Sequence, residues 1–220
     1  MAHASLRTRP ARVPRRGLAL STSKGFTLIE LLVVCAIIIV ITAIVLVDNN
    51  KFGGEVTLEN LAYDIALSVR QTQVYGIAVE RFGTSNFSAG YGMHFSLSSP
   101  TTYILFADED GTGIYDPNTS PSEIVDTDTI QQGYAITGLC VIPNTGGSQT
   151  CNSVSEVDIL YVRPEPEAYI SASQSGSPPS CIQNQSANCN YEAQITLTAP
   201  DGVTRTVVVD ATGQISVQLQ

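Results

Sequence analysis

The longest apolar stretch of the chain is Phe26–Val47 (FTLIELLVVCAIIIVITAIVLV), in which Glu30 is the single charge. As a helix it would span roughly 33 Å, close to the ~30 Å of a bilayer core. No helical period divides it into a buried and a wetted face, so it predicts a membrane helix rather than a core helix. Residues 48–54 (DNNKFGG) then predict a kink, a melted stretch or a break, because Asn and Gly weaken helices. An amphipathic pattern resumes: Leu58, Leu61, Ala62, Ile65, Val69 and Thr72 share a face, with Glu59, Asp64, Arg70 and Gln71 elsewhere. Residues 55–80 therefore predict an outer helix lying on a sheet.

Beyond Phe82 the pattern changes to short strands and turns. Tyr91–Leu97, Thr102–Phe106, Ser155–Val162, Glu192–Thr198, Arg205–Asp210 and Gln214–Gln220 read as strands. The last three are separated by Ala199-Pro200-Asp201-Gly202 and Ala211-Thr212-Gly213, both suited to hairpin turns. Residues 163–190, rich in Pro, Ser, Gln and Asn, predict a surface loop. The fold class is α+β: a long N-terminal helix, membrane half and amphipathic half, packed on an antiparallel sheet.

Charge divides the chain further. Six of the 11 Lys and Arg (Arg7, Arg9, Arg12, Arg15, Arg16 and Lys24) precede the apolar run, and no acid does. Residues 26–220 hold five basic and 20 acidic side chains, a net of −15. With 43% apolar and 14% charged residues the chain is neither disordered nor an ordinary soluble enzyme. The basic head predicts a cytoplasmic N-terminus and an outer remainder by the positive-inside rule. A cleaved secretory signal fits less well, since Val45-Leu46-Val47-Asp48 lacks small residues at a cut site. Arg15-Arg16 precedes too short an apolar stretch for a twin-arginine signal.

Lys24-Gly25-Phe26-Thr27-Leu28-Ile29-Glu30-Leu31-Leu32-Val33-Val34 resembles the processing site of type IV prepilins and type II secretion pseudopilins. The resemblance implies that a prepilin peptidase removes residues 1–25 by cutting between Gly25 and Phe26, then N-methylates Phe26. It implies a polymerisation helix over 26–47 and a pilin-like head over 55–220. Glu30 would neutralise the Phe26 amine of a neighbouring subunit. Such a pair repays much of its Coulomb energy as desolvation, so it sets register more than stability. Thr27 can satisfy a backbone group in the first turn. Implied partners are other pilin or pseudopilin subunits, the peptidase and methylase, an inner-membrane assembly platform, and lipid before extraction.

The outer part is similar to H-type minor pseudopilins and FimT-like minor pilins. Leu61–Val79, Tyr103–Asp116 and the closing hairpin Thr204–Val217 carry that similarity. Ser68-Val69-Arg70 departs from their usual Ala-Arg, and the 163–190 insert is long. A minor subunit of a pilus or pseudopilus is the function implied. The alternative is a single-span anchored binding protein or adhesin that never polymerises. Direct nucleic-acid binding is disfavoured: Lys51, Arg70, Arg81, Arg163 and Arg205 face 19 acids besides Glu30.

Five cysteines remain. Cys35 falls in the apolar helix. Cys140, Cys151, Cys181 and Cys189 form an even set that suggests disulfides outside the cytoplasm. Three pairings are open; Cys140–Cys151 with Cys181–Cys189 would staple one loop each. Zinc is the alternative, without a Cys-x-x-Cys or a nearby His to support it. Asp108-Glu109-Asp110-Gly111-Thr112-Gly113-Ile114-Tyr115-Asp116 is a candidate calcium loop through Asp108, Asp110, Thr112 and Asp116. The twelfth position is Thr119, not the Glu of an EF-hand. Asp126 and Asp128 would add ligands if the next loop folds back. Catalysis has little support: His94 reads as a half-buried structural histidine within a strand, and no Gly-x-Ser-x-Gly occurs. No other cofactor is expected.

Overall fold

The structure is a computed structural model that describes residues 25–78, 81–82, 89–120, 122–144, 148–151, 153–173, 180–182 and 189–219. The basic head before Gly25 and parts of the 163–190 insert lie outside them. The chain divides into two compact units, Met1–Val45 and Leu46–Gln220.

Helix α1 runs Leu28–Ile77. Of the kink, melted stretch or break expected at 48–54, neither a melted stretch nor a break occurs, since those residues are helical. Each Asn or Gly there costs at most about 1 kcal/mol in a helix, which neighbouring turns on both sides outweigh. The division between units falls just before this stretch, at Val45 and Leu46. In the first unit the helix exposes its apolar side chains. In the second unit it buries a single stripe, Leu58, Ala62, Ile65, Val69 and Thr72, all fully covered. Their spacing keeps them on one face, and burying each Leu, Ile or Val contributes roughly 1.5–3 kcal/mol. Leu61, expected on that face, packs at its edge, half-buried.

Among the described residues nine strands form one antiparallel sheet. They are β1 (Gly90–Ser96), β2 (Thr102–Asp108), β3 (Ile124–Thr129), β4 (Ala135–Pro143), β5 (Glu156–Tyr161), β6 (Ala168–Ser173), β7 (Asn190–Thr198), β8 (Thr204–Asp210) and β9 (Ile215–Leu219). The order is β3-β2-β1-β5-β6-β7-β8-β9, with β4 paired along β7. Strands β6 and β7 share only the Ile170–Asn190 pair, where Asn190 Nδ2 donates to the Ile170 carbonyl at 3.1 Å. The sheet curls at this corner. The core fills the concave side: Met93, Phe95, Tyr103, Leu105, Val157, Ile159 and Ile170 from one limb meet Ile136, Leu139, Ile195, Leu197, Val207 and Val209 from the other, with the α1 stripe between them.

Three strands escape the alternation pattern. β3 is an exposed edge strand whose polar IVDTDT shows no buried face. β4 carries a register shift near Gly138 that blurs its period. β6 lies inside the stretch expected to be a surface loop: Ala168, Ile170 and Ser171 are buried between β5 and the start of β7. The 163–190 expectation is corrected to that extent. Both expected hairpin turns form. Gly202 (φ 88°) closes β7–β8, and Gly213 (φ 85°) closes β8–β9. A side chain at Gly213 would also strike the Pro166 carbonyl and Gln73 Nε2. That space lets the buried Gln73 tie α1 to both loops, donating to Pro166 O at 2.8 Å and Gly213 O at 3.2 Å.

Candidate functional site

At the N-terminal site, Gly25, Phe26 and Thr27 precede the helix. Thr27 Oγ1 accepts the Glu30 N–H at 3.3 Å, and the Leu31 N–H donates to the Thr27 carbonyl at 3.2 Å. Thr27 is therefore the N-cap, meeting a backbone group of the first turn, and Thr27-x-x-Glu30 has the spacing of a capping box. Glu30 lies in the first turn, where the helix dipole favours an acid. Phe26 is 78% exposed, and nothing lies within 4 Å of where a Gly25 side chain would begin. Leu28–Leu46, with mean hydropathy 3.2, is long and apolar enough to cross a membrane. The free Cys35 is exposed on it.

The second constellation lies on the convex face of β1, β2 and β5. Alternation sends Ile104, Phe106 and Asp108 to that face, along with Gly92 and His94 from β1 and Asp158 and Leu160 from β5. Gly92 leaves room for the Phe106 ring, which a side chain would overlap. The segment after β2 folds back over this face. Its Tyr115 packs on Phe106 and Leu160, and its ring lies 4.8 Å from that of His94. His94 Nδ1 meets the fully buried Asp158 Oδ1 at 2.6 Å, and Asp158 Oδ2 accepts the Tyr115 N–H at 3.3 Å. Burial pushes the Asp158 carboxyl above the usual range, while His94 and the Tyr115 N–H pull it back. His94 is thus a structural clasp between β1 and β5, whose His94 and Asp158 are cross-strand partners.

The carboxylate cluster on this face is Asp108, Asp110 and Glu123, with an oxygen of each within 4.8 Å of the other two. This differs from the Asp108, Asp110, Thr112 and Asp116 set suggested by loop spacing. Thr112 gives its N–H to Asp110 Oδ1 at 2.9 Å. The Asp116 carboxylate turns into its own loop and accepts from Asn118 N at 2.8 Å, while its N–H donates to Glu123 Oε2 at 3.0 Å. Asp126 and Asp128 stay on β3, opposite Leu105 and Tyr103. Glu123 arrives through a bulge: Leu105 pairs with Asp126 but Phe106 with Ile124, so Val125 is the extra residue. The Glu123 carbonyl then accepts the Ala107 N–H at 2.8 Å. No spacing signal marks Glu123 in the sequence, because a bulge on the returning strand places it.

Burial dominates the electrostatics of this cluster. It raises the Asp108 carboxyl to about 6, with Asp110 adding to the rise and the Gly113 N–H opposing it. It raises Glu123 to about 7, with the charges of Asp110 and Asp108 adding. Asp110 is also pushed up by desolvation, but the Thr112 hydroxyl and N–H outweigh that and hold it below the usual carboxylate range.

Cys140 is joined to Cys151, and Cys181 to Cys189. The first closes the end of β4 on a bridge between Val141 and Thr150. The second fastens the buried Cys181 to the residue before β7. Loops of this size gain roughly 2–4 kcal/mol from closure. All four are taken up by these bonds and offer no thiolate to zinc.

Residues 20–46 match the family model described as the prokaryotic N-terminal methylation motif. No curated protein and no solved structure matches the chain. The motif covers the capped helix start and the exposed apolar helix, and the second unit supplies an α+β head with an antiparallel sheet. Together these make the chain a type IV prepilin- or pseudopilin-like protein, fitted for a single-pass membrane anchor.

Proposed function

We propose that the chain is a structural, non-enzymatic minor subunit of a pilus-like or pseudopilus filament. The observation that carries this reading is the methylation motif at 20–46, set on a membrane-length helix whose apolar side chains are all exposed. Such a surface needs lipid or other apolar helices around it. The subunit enters the cytoplasmic membrane with its basic end inside and its head outside. A prepilin peptidase cuts between Gly25 and Phe26 and methylates the new amine. Removal of the six leader cations frees the rod to leave the bilayer and pack beside its neighbours. Glu30 then meets the Phe26 amine of the next subunit and fixes the step between them.

Co-expression with a prepilin peptidase is expected to give a mature chain that starts at Phe26 and carries one added methyl, read by intact mass. Glu30→Ala is expected to be cut normally and to lose nearly all incorporation into sheared filaments. An uncut chain, or an alanine variant that assembles as the wild type does, sinks the reading in favour of a non-polymerising anchored protein.

A further inference from the structure

We propose that Asp108, Asp110 and Glu123 bind one hard divalent cation, calcium by its chemistry, which pins the segment after β2 to the convex face of the sheet. The carrying observation is Glu123. Its side chain is wholly buried, and its Oε1 has no hydrogen-bond partner among the described residues. A buried, unsatisfied carboxylate oxygen is costly unless something meets it. Here it belongs to a group that converges with two more carboxylates within 4.8 Å.

The surrounding backbone places these oxygens as ligands are placed. Asp108 Oδ1 is held by the Gly113 N–H at 3.1 Å, Asp110 Oδ1 by the Thr112 N–H, and Glu123 Oε2 by the Asp116 N–H. Each acid is thus held at one oxygen by a backbone N–H, and the Asp108 and Asp110 side chains also meet each other. Second contacts of this kind orient metal-binding carboxylates. The donors are all oxygen, with no His or Cys in the group, which selects a hard cation over zinc or copper. Calcium accepts six to eight oxygens in loose geometry, so carbonyls and water complete the shell more readily than around magnesium. Asp108, Asp110 and Gly111 also line a surface pocket of about 290 Å³. The inference does not depend on filament assembly.

The test uses the full-length, detergent-solubilised chain, stripped with chelator and titrated with calcium chloride or magnesium chloride at neutral pH. Calorimetry is expected to show one calcium per chain, and millimolar calcium is expected to raise the melting temperature by several degrees. Magnesium is expected to do so only at much higher concentration. Asp110→Asn, at an exposed position, keeps the fold and is expected to lose the calcium response. Glu123→Gln separates binding from folding, because it removes a buried charge while keeping an acceptor for the Asp116 N–H. It is expected to melt higher than the wild type when metal-free and to ignore calcium. Absence of binding in the millimolar range overturns the site, as does an undiminished calcium shift in both variants. An equal response to magnesium overturns the choice of calcium.

Discussion

His94→Ala is expected to lower unfolding free energy by about 3–5 kcal/mol at neutral pH, the range for stripping the partner from a buried charge. Asp158 is fully buried, and its Oδ1 contacts His94 Nδ1 at 2.6 Å. Without the imidazole, only the Tyr115 N–H remains of the contacts described above. The penalty has a definite pH dependence. Burial already raises the folded-state pKa of Asp158, and loss of His94 raises it further. Above the ordinary aspartate value the folded variant holds a proton that the unfolded chain has released. Stability is then present at low pH and drains away as pH rises through the folded value. The deficit of His94→Ala is therefore smallest near acid pH and grows toward neutrality. Adding Asp158→Asn is expected to recover most of the loss, since an amide carries no charge to desolvate and still accepts the Tyr115 N–H. Chemical denaturation of the four combinations across pH reads all of this. A small, pH-independent effect of His94→Ala would show that the pair does not hold β1 to β5.

Gly76→Ala is expected to cost about 3 kcal/mol, the upper part of the range for overpacking. In an open helix the same change stabilises by roughly 0.5–1 kcal/mol. At Gly76 a new Cβ would sit 2.5 Å from the Tyr161 carbonyl oxygen and 2.7 Å from Tyr161 Cβ. The obstacle is the backbone of β5, which β1 and β6 flank on both sides and which cannot step aside. Relief requires α1 to lift and to uncover part of the Leu58–Val69 stripe. Gly53→Ala is the control. Nothing lies within 4 Å of its Cβ position, so the helix gain is expected there alone. Melting curves that move in opposite directions confirm the close approach; parallel shifts refute it.

Legibility followed the physics of each element. The apolar rod announces itself by its unbroken length, and the amphipathic stripe because one side of a helix samples every third or fourth residue. Strands β1, β2, β5, β7 and β8 have a buried face that marks alternate positions or continuous apolar runs, and β9 half-buries Ile215 and Val217. β3 has no buried face, β4 is interrupted by an irregularity, and β6 hides in polar company, so none shows a clean period. The acidic cluster was half visible. Asp108 and Asp110 stand in a recognisable turn, whereas Glu123 comes from a distant segment through a bulge that only tertiary pairing creates. His94 was placed as structural from strand alternation, but its partner Asp158 lies 64 residues away, and only the β1–β5 register joins them.

The Thr27 cap has a further consequence. By fixing where coiling starts, it leaves Gly25, Phe26 and Thr27 as a short uncoiled tag ahead of the helix. Under the proposed processing, the Gly25–Phe26 bond lies outside the helix, ahead of its first turn. On that proposal, the same hydroxyl that caps the helix leaves the new Phe26 end a single residue ahead of the cap.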